Sequence, residues 1–410
     1  MNKRLICVTL ILGLLLGVFS GCSNPPKNKP DEFQSYTSYR EIPGVTEDEI
    51  SAIEALREQF DYFDFGMIPS TEMFYDLHKG EINGYSVFLC AWLSELFGIE
   101  FRPALYEWGE LLAGLETGKI SFSGELTATE ERRRDYYMTN PIAMRSVKYF
   151  QLEGSPSLAD IEKLRPVRYI FLGGSTTIAD VTSMSRAEHE TILVYDYESA
   201  YAKLKSGEGD VFFAEHNVEA AFDQYADVVA DDYLPLIYSP VSLATQNPEL
   251  TPIISVVDKI LQTDEVHHLT ELYKLGYSEY LKHKMYMRLS EEERDYIAKH
   301  PVISFAAEYE NYPMSFYNTQ ENAWQGIVFD VLKEINKLTD ITFELANPPD
   351  TEWPAILDML DNREVSMVSE LIRTPEREGH YLWPSTVLLA NNYTLISKAD
   401  RPNITINEVL

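Results

Sequence analysis

Short apolar runs alternate with longer amphipathic stretches along most of the chain. Phe63–Ile68 reads as a strand, Tyr85–Phe97 as a helix, Ile99–Pro103 as a strand, Trp108–Glu116 as a helix and Ile120–Ser123 as a strand. The same succession returns at Val302–Ala307, Ile327–Leu338, Ile341–Leu345, Trp353–Leu360 and Val365–Val368. Strands alternating with helices predict an α/β fold with a mainly parallel sheet, in which ligands sit at the C-terminal ends of the strands. A capping box introduces each succession. In Thr46-x-x-Glu49 and Ser290-x-x-Glu293 the hydroxyl and the carboxylate each satisfy the other's free backbone N–H at the start of a polar helix.

The two successions share residues as well as pattern. At an offset of 245, Glu107-Trp108 matches Glu352-Trp353, Leu112 and Leu115 match Leu357 and Leu360, and Ser121 matches Ser366. Glu125-Leu126, Thr129, Glu131-Arg132 and Tyr136 match Glu370-Leu371, Thr374, Glu376-Arg377 and Tyr381. These are 11 identities in the 33 positions 105–137, which establishes an internal repeat. Upstream the offset becomes 242, with Phe74-Tyr75 on Phe316-Tyr317 and Gly84 on Gly326, as a change in loop length would produce.

At the N-terminus Lys3 and Arg4 precede an apolar run from Leu5 to Val18. The run is short for a membrane span of about 20 residues and reads as a signal peptide. Its end, Phe19-Ser20-Gly21-Cys22, resembles the processing box of bacterial lipoproteins, with Phe19 where that box usually has Leu. The resemblance implies a lipidated Cys22, an extracytoplasmic location and attachment to the membrane through acyl chains. Residues 1–22 are then signal and lipobox, and 23–45, opening on the Pro-rich SNPPKNKP, a tether.

Composition narrows the choices. Lys and Arg number 34 against 65 Asp and Glu, a net charge of −31, so a polyanion such as nucleic acid is repelled. Three cysteines build no disulfide framework. Cys90, in an apolar helix, reads as a buried thiol. No zinc spacing, GxGxxG or P-loop occurs, so neither metal nor cofactor is expected. Aromatics reach 12%, with 26 Tyr, which suggests aromatic-lined clefts.

The ordered series Gly84-Tyr85, Trp108, Leu115-x-x-Gly118-Lys119-Ile120, Thr127-x-Thr129-x-Glu131-Arg132 and Thr139-Asn140-Pro141 continues through Ser157–Ile161, Gly173–Thr176, Gly207-x-x-Asp210 with Glu215, and Tyr238–Ser242. In order and spacing it resembles the family 3 extracellular solute-binding proteins, the two-lobed flytrap domains of amino-acid importers and sensor kinases. The resemblance implies a two-lobed type II periplasmic-binding-protein domain over 46–288. Lobe 1 is then about 60–145 with 240–285 and lobe 2 about 150–237, with hinges near Ala143–Gln151 and Tyr238–Leu243. Residues 289–410 resemble a second copy, incomplete, with lobe 1 only.

It also implies a site. Arg132 stands where family members clamp a ligand carboxylate, for which a planar guanidinium offers two parallel hydrogen bonds; a solvated helix-end charge is the plain alternative. Thr127 matches a hydroxyl near the ligand's polar end. Glu215, after the apolar strand Val211–Phe213, aligns with the acid that receives an α-ammonium. Gly174-Ser175-Thr176 ends the strand Tyr169–Leu172 and opens a helix whose free amides attract anions. Glu125 departs from the family's small or neutral residue; it either pairs with Arg132 or favours a cationic ligand. Phe74, Tyr75 and Trp108 are aromatic candidates, with core packing the competing role for Trp108.

Three function classes follow. The leading expectation is a receptor that closes on an amino acid or amine, for an ABC permease or a sensor output domain. The second is a flytrap that binds nothing and only dimerises. The third is a dehydratase-like enzyme using Glu125 and Glu215 as an acid pair, which the leading reading, a non-enzyme, sets aside.

Overall fold

A computed structural model describes residues 36–185, 188–264, 266–386 and 388. Cys22, the signal segment 1–22 and the first part of the 23–45 tether lie outside the described residues. The chain divides into two compact units, Met1–Pro301 with Ile335–Ile341, and Val302–Glu334 with Thr342–Leu410. The division by contacts falls at Pro301–Val302.

In the first unit, α1 (Glu47–Gln59) opens with the expected capping box. The Glu49 amide donates to Thr46 Oγ1 at 3.3 Å and the Thr46 amide to Glu49 Oε2 at 2.7 Å. Before it, Tyr39 and Ile42 are buried in the lobe 1 core, Tyr39 beside Phe97, so the end of the expected tether belongs to the folded body. Next come β1 (Tyr62–Met67), the hairpin β2 (Phe74–Asp76) and β3 (Glu81–Asn83), α2 (Tyr85–Phe97), β4 (Glu100–Leu105), α3 (Trp108–Glu116) and β5 (Phe122–Leu126). Helix α2 buries residues almost all round, Cys90 among them. It stops at Gly98, whose φ of +65 is the left-handed conformation a helix C-terminus favours in glycine.

The short α4 (Arg132–Asp135) leads into β6 (Tyr137–Leu152). Lobe 2 contributes α5 (Leu158–Glu162), β7 (Val167–Leu172), α6 (Thr177–Met184), β8 (His189–Val194), α7 (Tyr197–Lys205), β9 (Val211–Glu215) and α8 (Glu219–Phe222). The chain returns through β10 (Val228–Thr245) to α9 (Thr251–Ile260), α10 (Val266–Arg288) and α11 (Glu291–Lys299).

One sheet of eight strands, in the order β4-β1-β5-β10-β6-β9-β7-β8, runs through both lobes. β1 is parallel to β4 and β5, and β7 to β8 and β9. Between these groups lie the antiparallel crossover strands β6 and β10, of 16 and 18 residues. Their register slips at Asp232/Leu234, Leu234/Tyr238, Val241/Ser242 and Ser242/Ala244, and such irregularities bend a sheet. The irregular interval on β10 spans Tyr238–Leu243, and on β6 it lies opposite Met138–Lys148, which overlaps Ala143–Gln151 in part.

The inner parallel strands β5, β7 and β9 are covered on both faces and bury nearly every residue. Lobe 1 packs Phe63, Phe65, Phe101 and Phe122 under α2 and α9. Lobe 2 packs Tyr169, Phe171 and Phe213 with Val181 of α6. A third cluster joins the lobes, from Trp108, Leu111 and Leu115 of α3 to Tyr197, Ala200 and Leu204 of α7.

Helix α10 also spans them. Its Gly276 lies against the backbone of Tyr85, where a Cβ would stand 2.2 Å from the amide nitrogen. Beyond that contact Tyr280 Oη donates to Asp223 Oδ2 at 2.6 Å, and Lys284 Nζ lies 3.0 Å from Asp223.

The second unit repeats the first part of lobe 1. It contains β11 (Val302–Ala306), β12 (Glu310–Asn311), β13 (Ser315–Asn318), β14 (Ala323–Gln325), the part of α12 (Ile327–Thr339) up to Glu334, β15 (Thr342–Leu345), α13 (Trp353–Asp361) and β16 (Met367–Val368). The parallel order β15-β11-β16 reproduces β4-β1-β5. A side-chain bond is repeated too: Arg132 Nη1 donates to the Thr127 carbonyl at 3.2 Å, and Arg377 Nη1 to the Ile372 carbonyl at 2.9 Å. The offset between these pairs is the sequence repeat itself.

Candidate ligand-binding site

Strand ends from both lobes converge on one cavity of about 40 Å³, room for a few water-sized groups. Lobe 1 supplies Ile68 after β1, Glu125 and Thr127 at the end of β5, Trp108 of α3, and Arg132. Lobe 2 supplies Leu172 and the turn to Thr177 after β7, Tyr197 of α7, and Phe213 to Glu215 at the end of β9. A parallel sheet aims its loops to this side of its strands.

The lobes touch across this seam. Trp108 Nε1 donates to the Gly173 carbonyl at 2.9 Å, Arg132 Nη2 to the Gly174 carbonyl at 2.9 Å, and the Thr71 amide to the Asn217 carbonyl at 2.7 Å. Thr176 Oγ1 faces Thr127 Oγ1 at 3.5 Å.

Of the residues singled out from the sequence, Arg132, Thr127, Glu125, Glu215, Ser175, Thr176 and Trp108 line the cavity, and Gly174 offers its carbonyl to Arg132. Phe74 and Tyr75 are not brought there. They lie on β2, where Phe74 packs on Tyr280 and His283 and Tyr75, half exposed, donates to the Gly80 carbonyl.

The residue that sequence reasoning missed is Arg145. It projects from the middle of β6 and is 0% exposed. Its Nε and Nη2 donate to Glu72 Oε1 at 2.9 Å and Oε2 at 2.5 Å. Its Nη1 donates to Glu125 Oε2 at 2.7 Å and Glu215 Oε2 at 2.8 Å. One guanidinium thus holds two carboxylates of lobe 1 and one of lobe 2. Glu125, expected to pair with Arg132 or to face a cationic ligand, is paired with Arg145. The available signal was an arginine inside a strand otherwise rich in apolar residues, which demands buried partners.

Around this cluster Tyr273 Oη donates to Glu72 Oε1 at 3.1 Å. His216 then donates from Nε2 to Tyr273 Oη, and its Nδ1 accepts the Ser146 amide at 3.2 Å.

Burial is the main influence on these groups. It pushes the Glu125 carboxyl up to about 7, with Arg145 opposing and Glu72 and Glu215 adding to the rise. Burial likewise raises Glu215. Burial would lower Arg145, but the carboxylates of Glu125, Glu72 and Glu215 hold it well above the usual arginine value. Burial lowers Arg132. Among the described residues, Tyr197 Oη and Ser175 Oγ in the cavity wall are buried without a hydrogen-bond partner. Such groups cost about 1–3 kcal/mol each until a partner reaches them. No group of three or more His, Cys, Asp or Glu among the described residues could hold a metal ion.

The sequence model of the bacterial extracellular solute-binding proteins, family 3, matches residues 65–275 and again residues 303–406. The chain belongs to that family. Its two matches follow the internal repeat, a two-lobed domain followed by a shorter copy. None of the curated proteins matches the chain.

Several solved structures resemble this family member. A mutant of ArgBP from T. maritima is 20% identical, covering 55% of this chain and 99% of its own, with a TM-score of 0.43. AbpA from Streptococcus pneumoniae bound to L-arginine is 16% identical, covering 55% and 98%, with a TM-score of 0.46. The periplasmic domain of B. pertussis BvgS is 19% identical, covering 80% of this chain and 64% of its own, with a TM-score of 0.38. The family is extracytoplasmic. Among the described residues no helix is long and apolar enough to cross a membrane.

Proposed function

We propose that the first unit is a receptor that holds a small carboxylate-bearing solute between its lobes outside the cytoplasm. Arg132 carries this reading. It stands at the seam of the two lobes, on the cavity wall, with Thr127, Ser175, Thr176 and Tyr197 around the same space. A guanidinium there can take a carboxylate in two charge-assisted bonds, and the unpartnered hydroxyls of Ser175 and Tyr197 can complete its coordination. Closure is favoured because the solute touches both lobes only in the closed form. Cys22, once lipidated, would keep the receptor at the membrane, and the closed form would be read by an ABC permease or by a sensor's output domain.

The test is thermal unfolding of the full-length chain against a panel of amino acids, amines and small carboxylic acids. A solute-dependent rise in Tm, absent in Arg132→Ala, is the expected result. A second reading, a flytrap that binds nothing and serves to dimerise, is favoured by one observation: the protein's own Arg145 joins carboxylates of both lobes. Absence of a shift with every compound would select it.

A further inference from the structure

The charged groups of the cavity are unevenly partnered. The carboxylates have a cation of their own: four hydrogen bonds from Arg145 reach Glu72, Glu125 and Glu215. The other guanidinium, Arg132, has no anion among its hydrogen-bond partners, which are the carbonyls of Thr127 and Gly174. The unpartnered hydroxyls of Tyr197, 8% exposed, and of Ser175 border the same cavity. A zwitterionic ligand would bring an ammonium to Glu125 or Glu215. It would have to compete there with a buried guanidinium that is chemically tethered and already desolvated. Displacing Arg145 would leave a charge inside the protein without its partners, which is strongly unfavourable.

We propose that Arg145 permanently fills the cation subsite of this pocket, so that the solute is a small carboxylate carrying no amino group. This rests on the reading that the inter-lobe cavity binds a solute. The narrow cavity of about 40 Å³ favours a solute with a short remainder beyond its carboxylate. Ile68, Leu172 and Val218 in its wall suit a short apolar or hydroxylated remainder. The carboxylate meets Arg132, and its second oxygen or a neighbouring hydroxyl meets Tyr197 and Ser175.

Matched pairs test it by titration calorimetry on the full-length chain at pH 7. The pairs are acetate with glycine, and propionate and lactate with alanine, which differ at the amino position and little in size. The expected result is binding of the amino-free member at least about tenfold tighter, a difference of about 1.4 kcal/mol. Binding of glycine or alanine as tight as, or tighter than, the amino-free partner overturns the proposal and leaves the receptor reading standing. Binding of neither member, together with no response to the wider panel, overturns both.

Discussion

The guanidinium of Arg145 grips both oxygens of Glu72, at 2.9 and 2.5 Å, with both side chains almost wholly buried. Arg145 belongs to the crossover strand β6, and Glu72 to the loop that follows β1. The pair therefore ties the connection between lobes to the rim of lobe 1, and Glu125 and Glu215 extend the tie to both jaws. Removing one member of a buried ion pair strands the others and costs about 3–5 kcal/mol. Arg145→Met is expected to lower the unfolding free energy by about that amount at pH 7, read from urea denaturation. The loss should shrink at pH 4, where the stranded carboxylates can take up protons.

Glu125 gives a second pH signature. Its folded value of about 7 lies above the ordinary 4.5. Its contribution is therefore fully present below about 4.5 and is lost as pH rises through 7. Glu125→Gln abolishes this titration. The stability of the variant relative to the parent should rise between pH 4.5 and 7, by at most about 3 kcal/mol, and stay level above that. A flat difference across the interval would contradict the buried, protonated state.

Arg132 bonds to the Gly174 carbonyl of the opposite lobe at 2.9 Å. Arg132→Ala removes this link and the bond to Thr127. A loss of about 1–2 kcal/mol is expected, with faster amide hydrogen exchange in 172–177, where lobe 2 meets the seam. Unchanged exchange there would mean that Arg132 does not hold the jaws together.

Tyr280 tests the role of α10 as a strap. Its hydroxyl donates to Asp223 at 2.6 Å while its ring packs on Phe74. Tyr280→Phe keeps the ring and deletes the bond, so about 1.5–3 kcal/mol should be lost. Hydrogen exchange should quicken in 219–223 and in the C-terminal half of α10, and remain as it was in α2.

Much of the local structure could be read from the chain. Helices Tyr85–Phe97 and Trp108–Glu116 begin and end where the apolar pattern places them. Both capping boxes close with the expected bonds. These are matters of neighbouring residues, which sequence spacing fixes directly. The strand ends were less legible: Ile120–Ser123 becomes Phe122–Leu126, because a strand's limits depend on which neighbours reach it.

The site divided in the same way. Motif order alone brought Arg132, Thr127, Ser175, Thr176, Glu125 and Glu215 to attention, and they share one cavity. Phe74 and Tyr75 were drawn from the same pattern, but the register of β2 with β3 and the passage of α10 over them place them elsewhere. Arg145 lies 73 residues from Glu72 and 70 from Glu215, so nothing in its immediate neighbourhood marks it as their partner.

The repeated α/β units, their helix starts and the family to which they belong follow from the amino-acid order, since these rest on periodicity and on residue identity at fixed spacing. Which charges neutralise one another emerges in the folded chain alone. A buried ion pair is settled by where strands of distant sequence meet, and by the desolvation that forces each charge onto the nearest partner.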